Sequence, residues 1–504
     1  MLVAKALGFV EKLLLAYYAG VSAEVDAYFT AFGIAFFFFV IIDDILVPVF
    51  LARYVLLRER CGSAEAYRFA KRVGVATFMI LLPVAVSVGI WAEPLLQLIT
   101  PGFDAEQRDR TAALIRWILP GGLVMGLAAL TYVLLNAHER YAWPALAGAV
   151  FKAVTAIGIF LLMREMGIAG AAVAVCAAAV VQFTLHLIGV RLWVRPAIQT
   201  IAAGTRAPPQ LRSMILLMIP LAVGTLASQG SSFVDNACGS MLPAGSIAAL
   251  GYARRLVDLP ILLIPGALGI VAFPKLAKLA ARHDTRGVMT VTVQLIEFCL
   301  IVFLPICAVC LLEPESLVRL TFARGEFGES AVVVTGLALL VFSIGLVAYA
   351  IEIPLLRTYY AFQDTLTPTL VGLVFLGINI AMTILLTPRL GIVAIPLALS
   401  TQKTLKVLTL LLILVRRFPG AWLSRLLNRA WRIIPCAGVF AIIFALCATW
   451  TGLGSTTEKA DALVSLVLST AAASTAYLAA LLAARLLHWR DMVRFARGAR
   501  RRLP

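Results

Sequence analysis

Long apolar segments separated by short polar loops occupy most of this 504-residue chain. Each is close to or above the roughly 20 residues that an α-helix needs to cross a bilayer. Hydrophobic residues make up 62% of the sequence, whereas soluble globular domains are about 45–50% apolar. We therefore expect an all-α polytopic membrane protein with about fourteen transmembrane helices. These segments, numbered 1 to 14 below, lie at 2–20, 27–52, 73–99, 111–136, 143–163, 167–190, 213–238, 245–274, 288–312, 331–356, 367–387, 391–415, 432–452 and 462–487.

Basic residues are concentrated in every second loop. The loops after segments 2, 6, 8 and 12 and the C-terminal tail are rich in arginine and lysine, as in Arg58, Lys275 and Arg425, and the other loops hold much of the acid. Cytoplasmic loops carry the excess of Lys and Arg. We therefore predict a multi-pass protein of the bacterial cytoplasmic (inner) membrane with both termini in the cytoplasm. Since the net charge of +17 follows this topology, we expect no nucleic-acid partner.

The sequence contains no motif of an enzyme. It has no Walker A sequence, no Gly-rich dinucleotide loop after a strand and no nucleophile elbow. Its eight cysteines are scattered, mostly inside apolar segments, where cysteine behaves as a small hydrophobe. We therefore expect a transporter that binds no catalytic metal or cofactor. Its driving force would then be a membrane potential or an ion gradient, with sodium as the candidate ion.

An internal repeat divides the chain. Phe103 corresponds to Phe327 and Pro144 to Pro368, both at an offset of 224 residues without a gap. Both copies begin on the same side of the membrane and lie six segments apart, which indicates a parallel repeat of two lobes. We predict an N-lobe at 1–192, a cytoplasmic linker at 193–212, a C-lobe at 213–417, and segments 13 and 14 with a basic cytoplasmic tail at 418–504.

A series of short motifs extends along nearly the whole chain. They include Gly8-Phe9, Asp26-Ala27-Tyr28-Phe29, Thr100-Pro101-Gly102-Phe103, Leu135-Asn136-Ala137, Arg140-Tyr141-Ala142, Ser228-Gln229, Tyr252-Ala253-Arg254-Arg255-Leu256 and Phe362-Gln363-Asp364-Thr365. In order and spacing they resemble the MurJ/MviN flippases of the MOP exporter superfamily. The resemblance implies two six-helix lobes around a central cavity, plus two C-terminal helices. It also implies transport of a polyprenyl-pyrophosphate-linked glycan precursor, such as lipid II for peptidoglycan, to the outer leaflet by alternating access.

The first segments depart from the family pattern. The family usually carries an arginine after Gly-Phe in its first helix, where this chain has Glu11 and Lys12. The two are adjacent and point about 100° apart on a helix, so at least one should face the cavity, and Lys12 would replace the missing arginine. Asp43 and Asp44 lie in the middle of segment 2. They would pair with a basic residue or a coupling cation, or they would mark a broken helix.

The candidate substrate site consists of charged residues inside apolar segments. A charge within a span costs about 2.5–3.5 kcal/mol on insertion scales and therefore needs a reason. On segment 8 we expect Arg255, next to Arg254, to bind the pyrophosphate and Asp258 to orient it. In the alternative, Arg255 and Asp258 pair with each other. Asp26 would either contribute to the same site or cap the helix that it opens.

A second set of polar residues is rich in oxygen. Asp235 lies on segment 7, and Asn379 and Thr383 lie four residues apart on segment 11. Carboxylate and carbonyl-type oxygens suit hard cations such as sodium. The resemblance implies that some members of the family depend on sodium, and Asp235 and Asn379 fall near the corresponding positions. Polar packing between helices is the alternative. Charged residues nearer the ends of spans, such as Lys152 and Lys403, are expected to extend to the membrane surface.

Three alternatives to a lipid II flippase remain open. The reduced number of arginines is compatible with a flippase for another lipid-linked polysaccharide unit. The fold class also includes MATE-like exporters that couple small molecules to cations, and a scaffold without transport activity is the third alternative. Membrane lipids are expected partners in every case, and the sequence leaves the oligomeric state open.

Overall fold

The computed structural model describes residues 2–194, 211–453 and 459–486, and every regular element in these ranges is a helix. The prediction of an all-α fold is therefore confirmed for the described part of the chain. The basic tail after residue 486 and most of the predicted linker lie outside the described residues. The chain divides into two compact units, Met1–Gly251 with Arg324–Ala331 and Tyr252–Ala323 with Val332–Pro504. The lobe boundaries given above stay a prediction.

Unit 1 is built around one long helix, α6, which packs against α2 and α8. Buried Tyr28, Phe50 and Ile115 fill its core. Gly122 permits the close approach of α6 to α2, because a Cβ atom there would collide with the carbonyl oxygen of Ala35. Its helices are α1 (Leu2–Ala19), α2 (Ala23–Ile41), α3 (Val47–Cys61), α4 (Ser63–Ile90), α5 (Ala92–Ile99), α6 (Ala105–Ala137), α7 (Ala142–Met166), α8 (Ile168–Gly189), α9 (Leu211–Ser240) and the first turns of α10 (Ser246–Leu263).

A π-helical turn joins α2 to α3. It spans Ile42–Leu46 and includes both Asp43 and Asp44, which are exposed. The whole stretch Ala23–Cys61 remains long and apolar enough to cross a membrane. The mid-span aspartates therefore mark a local widening of the helix, a feature that often occurs at functional sites, rather than a break in it.

Unit 2 is organised around α12, which packs against α15 and α18. Tyr477 on α19 donates a hydrogen bond to the carbonyl oxygen of Ile301 on α12 at 2.9 Å, and the ring of Phe440 on α18 lies 6.0 Å from that of Tyr477. These contacts attach α18 and α19 to the body of the unit. After α10, its helices are α11 (Pro265–Ala281), α12 (Thr285–Leu312), α13 (Pro314–Phe322), α14 (Glu329–Ile344), α15 (Leu346–Ala361), α16 (Leu366–Leu390), α17 (Ala394–Arg417), α18 (Trp422–Trp450) and α19 (Lys459–Ala483).

All fourteen predicted apolar segments coincide with helices. Among the described residues, 11 helical stretches are long and apolar enough to cross a membrane, or up to 12 if the bent pair α14 and α15 forms one span. One stretch, Leu366–Arg417, contains both α16 and α17 and therefore two predicted segments. The multi-pass architecture is confirmed, and the count of fourteen stays a prediction.

The repeat predicted at an offset of 224 residues recurs in backbone geometry. After α6, Glu139 adopts a φ of 60° and the amide of Arg140 donates to the carbonyl of Leu135. After α15, Gln363 adopts the same φ of 60° and the amide of Asp364 donates to the carbonyl of Tyr359. Both are helix ends with one left-handed residue, a position that favours glycine. The ends of α11, at His283, and of α19, at Arg485, also have a left-handed non-glycine residue, so the agreement at the offset of 224 residues is compatible with the repeat without being specific to it.

The turns at Phe103 and Phe327, the other pair of matched residues in the repeat, are also alike. Phe103 donates its amide to the carbonyl of Thr100, and Phe327 donates its amide to the carbonyl of Arg324. Both phenylalanine side chains are buried. The repeat is thus supported by equivalent turns and equivalent apolar anchors.

Candidate functional site

A buried carboxylate in unit 1 holds two lysines. Glu11 on α1 lies 3.0 Å from the Nζ of Lys12 and 2.9 Å from the Nζ of Lys152 on α7. The Glu11 side chain is 2% exposed, whereas that of Lys152 is 32% exposed. With all three groups ionised, this Glu11 cluster carries a net charge of +1. Its excess positive charge lies among apolar helices, where an anion would be stabilised.

The aromatic side chains of α2 complete the surroundings of Lys12. The Nζ of Lys12 lies 4.8 Å from the centre of the Phe29 ring and 5.8 Å from that of Phe32. Such cation–π contacts stabilise an ammonium group in surroundings that exclude water. Lys12 is therefore held by Glu11 on one side and by rings on the other. The sequence-based expectation for Lys152 was wrong, since its ammonium turns to Glu11 instead of extending to the surface.

Asp26 caps a helix other than its own. Its two carboxylate oxygens accept hydrogen bonds from the amides of Gly245 and Ala248, both at 2.6 Å. These amides lie at the start of α10, where an acidic group also complements the helix dipole. The N-cap of α2 is Ser22, whose hydroxyl accepts from the amide of Val25 at 3.4 Å. The expectation that Asp26 caps α2 was therefore wrong.

The helix that Asp26 caps also bears the candidate pyrophosphate ligands. Arg254 lies 4.0 Å from Asp258, and the two side chains are 46% and 32% exposed. Arg255 is exposed and forms no ion pair with any residue that the structure describes. The alternative in which Arg255 pairs with Asp258 was thus wrong, because the closer partner of Asp258 is one position earlier on the helix. Arg255 keeps its charge available for a ligand.

The aspartates of the π-helical turn differ from each other. Asp44 accepts a hydrogen bond from the hydroxyl of Thr225 on α9, so it links two helices of unit 1. Asp43 is exposed beside it. Lys12, a candidate basic partner for these aspartates, forms an ion pair with Glu11.

The oxygen-rich set is divided between the units. Asp235 is half-buried on α9 in unit 1, and Asn379 and Thr383 are fully buried on one face of α16 in unit 2. Within the described part of unit 2, the hydroxyl of Thr383 and the side-chain carbonyl oxygen of Gln402 lack a hydrogen-bond partner. Buried polar groups usually have one. The sequence analysis did not include Gln402, which lies on α17.

Nitrogen, sulfur and carboxylate ligands form no metal centre in the described part of the chain. Over these ranges, no group of three or more His, Cys, Asp or Glu side chains could hold a metal ion. A sodium site built on amide, hydroxyl and carbonyl oxygens would need no such group and stays a prediction.

Unit 2 contains a second carboxylate held by two lysines. Glu352 on α15 lies 2.7 Å from the Nζ of Lys403 and 2.6 Å from that of Lys406, both on α17. The carboxylate is 9% exposed and the lysines are 22% and 13% exposed. This Glu352 cluster again has a net charge of +1. The sequence indicated this cluster only through the spacing of Lys403 and Lys406, which places both lysines on one face of a helix.

Known proteins match this arrangement over most of the chain. The family model of the lipid II flippase MurJ matches residues 15–472. A protein of Rhizobium tropici named "Probable lipid II flippase MurJ" is 28% identical over 467 residues, covering 89% of this chain and 86% of the relative. One of the same name in Rhizobium meliloti is 27% identical over 463 residues, covering 88% and 84%.

Solved structures share the fold. A lipid II flippase MurJ in an inward closed conformation superimposes with a TM-score of 0.79 at 21% identity, covering 97% of this chain and 98% of that one. A multidrug resistance MATE family transporter of the MOP superfamily, in an inward-facing conformation, gives a TM-score of 0.68 at 14% identity, covering 84% and 95%. The family model spans far more than half of the sequence, and the resemblance in the motifs is confirmed: this chain belongs to the lipid II flippase MurJ family.

Proposed function

We propose that the protein moves lipid II, a polyprenyl-pyrophosphate-linked glycan precursor of peptidoglycan, from the cytoplasmic to the outer leaflet of the bacterial inner membrane. The observation that carries the proposal is the family match over residues 15–472, together with relatives named as probable lipid II flippases. The protein would be a transporter without a catalytic centre, and both of its termini would lie in the cytoplasm. Its basic loops support that orientation.

The chemistry of the substrate explains the charged residues within the helices. The polyprenyl tail is soluble in lipid, whereas the anionic pyrophosphate and the sugars must cross a hydrocarbon layer. A cationic surface among the helices lowers that barrier, because arginine and lysine pair with phosphate oxygens. In unit 1 the Glu11 cluster supplies two ammonium groups, and in unit 2 the exposed Arg255 supplies a guanidinium group.

Each candidate residue has a separate role in this proposal. In unit 2, Arg255 is the proposed pyrophosphate ligand. In unit 1, Lys12 is a candidate phosphate ligand whose position Glu11 fixes. Asp258 holds Arg254 beside Arg255. Asp26 fixes the first turn of the helix that carries them, through the bonds to Gly245 and Ala248.

Transport would follow alternating access between two states that open to opposite sides of the membrane. Since the protein lacks an ATPase motif, the proposed driving force is the membrane potential or a sodium gradient. Thr383 and Gln402, with their unpartnered oxygens, support a cation site in unit 2 to which Asn379 would contribute. Asp235, on α9 of unit 1, stays a separate candidate ligand for a cation.

Complementation tests the proposal. The chain is expressed in a bacterial strain whose own lipid II flippase can be depleted, and growth and lipid II exposure on the outer leaflet are followed. Wild-type chain should restore both, and Arg255→Ala should restore neither at equal membrane abundance. Arg425→Ala, which removes an exposed arginine from the first turn of α18, serves as the matched control. Failure of the wild-type chain at normal abundance would refute lipid II as substrate and leave another lipid-linked polysaccharide unit as the cargo.

A further inference from the structure

A crevice opens on the surface of unit 1 between α4, α6 and α8. It has a volume of about 320 Å³, and its apolar lining includes Phe50, Phe78, Leu130, Leu134, Phe183 and Leu187. On α4 it extends from Tyr67 to Phe78, which at 1.5 Å per residue is roughly 16 Å. The hydrocarbon core of a bilayer is about 30 Å thick. The crevice therefore has the length of a hydrocarbon chain within one leaflet.

The lining is open to the surroundings of the protein. Val75 is 59% exposed and Leu187 is 46% exposed. The crevice lies where α4 begins and where α6 and α8 end. In a chain that crosses a membrane, such a surface faces lipid, and this end is the one that the charge pattern assigns to the cytoplasm.

A lysine stands at the same end of the crevice. The Nζ of Lys71 lies 5.4 Å from the centre of the Tyr67 ring, and the lysine forms no ion pair with a described residue. The neighbouring Arg68 is satisfied by Glu65 at 2.6 Å. Exposed Arg72 and Arg191 add positive charge nearby in the sequence of α4 and after α8. An apolar crevice of one leaflet's length with a free ammonium group at its head matches a phospholipid with an anionic head group.

We propose that this crevice binds an anionic phospholipid of the cytoplasmic leaflet, with one acyl chain between α4, α6 and α8 and its phosphate paired with Lys71. A polyprenyl chain is longer than one leaflet and fits the measured length less well. The site is separate from the charged residues assigned to the substrate, and it does not depend on which glycan is transported.

Gly74 offers a direct way to close the crevice. It belongs to the lining, and a Cβ atom added there meets no atom within 4 Å. A Gly74→Phe substitution therefore places an aromatic side chain in the crevice, and its Cβ atom meets no neighbour. Gly377 on α16 is exposed and equally open, so Gly377→Phe is the matched control, and Lys275→Ala is the control for the loss of an exposed lysine.

The experiment uses the full chain in lipid nanodiscs and a phosphatidylglycerol that carries a photoactivatable group on one acyl chain. After irradiation, cross-linked peptides are identified by mass spectrometry. The control is the corresponding phosphatidylethanolamine, a zwitterionic lipid whose ammonium group compensates its phosphate. The expected result is labelling of the α4 segment from Tyr67 to Phe78. Lys71→Ala should reduce it about fivefold, and Gly74→Phe should abolish it, whereas both control variants should label as the wild type does.

Three results would overturn the proposal. Equal labelling by the two phospholipids, or undiminished labelling of Gly74→Phe, would mean that the crevice holds no specific lipid. Displacement of the probe by undecaprenyl phosphate at lower concentration than by unlabelled phosphatidylglycerol would instead assign the crevice to a polyprenyl lipid.

Discussion

The ammonium group of Lys152 lies 2.9 Å from the carboxylate of Glu11, 141 residues earlier in the chain. This contact joins α7 to α1, and it leaves the carboxylate between two positive charges. Removal of either partner changes the electrostatic balance in a different way. Removal of Glu11 leaves two uncompensated lysines, whereas removal of Lys152 leaves a neutral pair.

The Glu11→Gln variant should therefore be the more unstable of the two. An uncompensated buried charge costs about 3–5 kcal/mol of folding free energy, and we expect a loss near the lower value because Lys152 is partly exposed. Lys152→Met should cost clearly less. The free energy of unfolding, measured in detergent micelles by titration with a denaturing detergent, gives the comparison. A greater loss for Lys152→Met would contradict the proposed charge balance.

The cap between Asp26 and α10 predicts a local effect. Asp26→Ala should lower the free energy of unfolding by about 1–2 kcal/mol, and Asp26→Asn should fall in between because its amide has one acceptor oxygen. Hydrogen exchange at the amides of Gly245 and Ala248 should accelerate in Asp26→Ala. In Ser22→Ala, the matched control, the same two amides should stay protected. Unchanged exchange in Asp26→Ala would contradict the cap.

Arg255 should affect transport without affecting stability. Its side chain is exposed and has no ion-pair partner among the described residues, and surface substitutions of this kind usually change stability by less than about 0.5 kcal/mol. Arg255→Ala should lower the rate of lipid II translocation in proteoliposomes at least about tenfold, since a charge-assisted contact is worth about 1.5–3 kcal/mol. Arg254→Ala should reduce it less. Equal rates for wild type and Arg255→Ala would remove Arg255 from the site.

The loop between α15 and α16 predicts a pH dependence. Burial raises the pKa of Asp364, but hydrogen bonds from Thr367 and the charge and hydrogen bond of Arg417 outweigh it, so the net pKa lies below the ordinary value. A carboxyl with a depressed folded-state pKa stabilises the protein above its unfolded pKa of about 3.9. That contribution is lost as the pH falls below about 4 and through the folded pKa.

Unfolding followed between pH 3 and 6 tests this dependence. The wild type should lose stability towards pH 3 more steeply than Asp364→Asn, which has no carboxyl to protonate at this position. Above pH 5 the variant should be the less stable protein, because its amide cannot form an ion pair with Arg417. Parallel curves for the two proteins would contradict the assignment.

The sequence predicted the membrane class and the positions of the helices because hydropathy and helix length are local properties. It also predicted the repeat, since Phe103 and Phe327 occupy equivalent turns. The π-helical turn at Asp43 could not be predicted, because two adjacent aspartates inside an apolar segment do not specify the backbone geometry of the helix there.

Long-range partners were the part that the sequence could not supply. Neither the spacing of Glu11 and Lys152 nor that of Asp26 and Gly245 carries a signal, since the packing of α1 on α7 and of α2 on α10 decides which groups meet. On α10, the two possible partners of Asp258 are adjacent in the sequence. Spacings of three and of four residues are both compatible with a pair, and the structure selects Arg254 at four.

The cap of α10 has a consequence for biosynthesis. The ribosome adds Asp26 to the chain long before Gly245. While the intervening helices are made, this carboxylate therefore lacks the hydrogen bonds that the amides of Gly245 and Ala248 later donate to it. Its desolvation becomes favourable only when the late helix arrives. Completion of the amino-terminal half is thereby tied to insertion of α10, which begins at Ser246, just before the middle of the chain. A chain released by a premature stop before residue 245 would keep this acid without the two amides that donate to it.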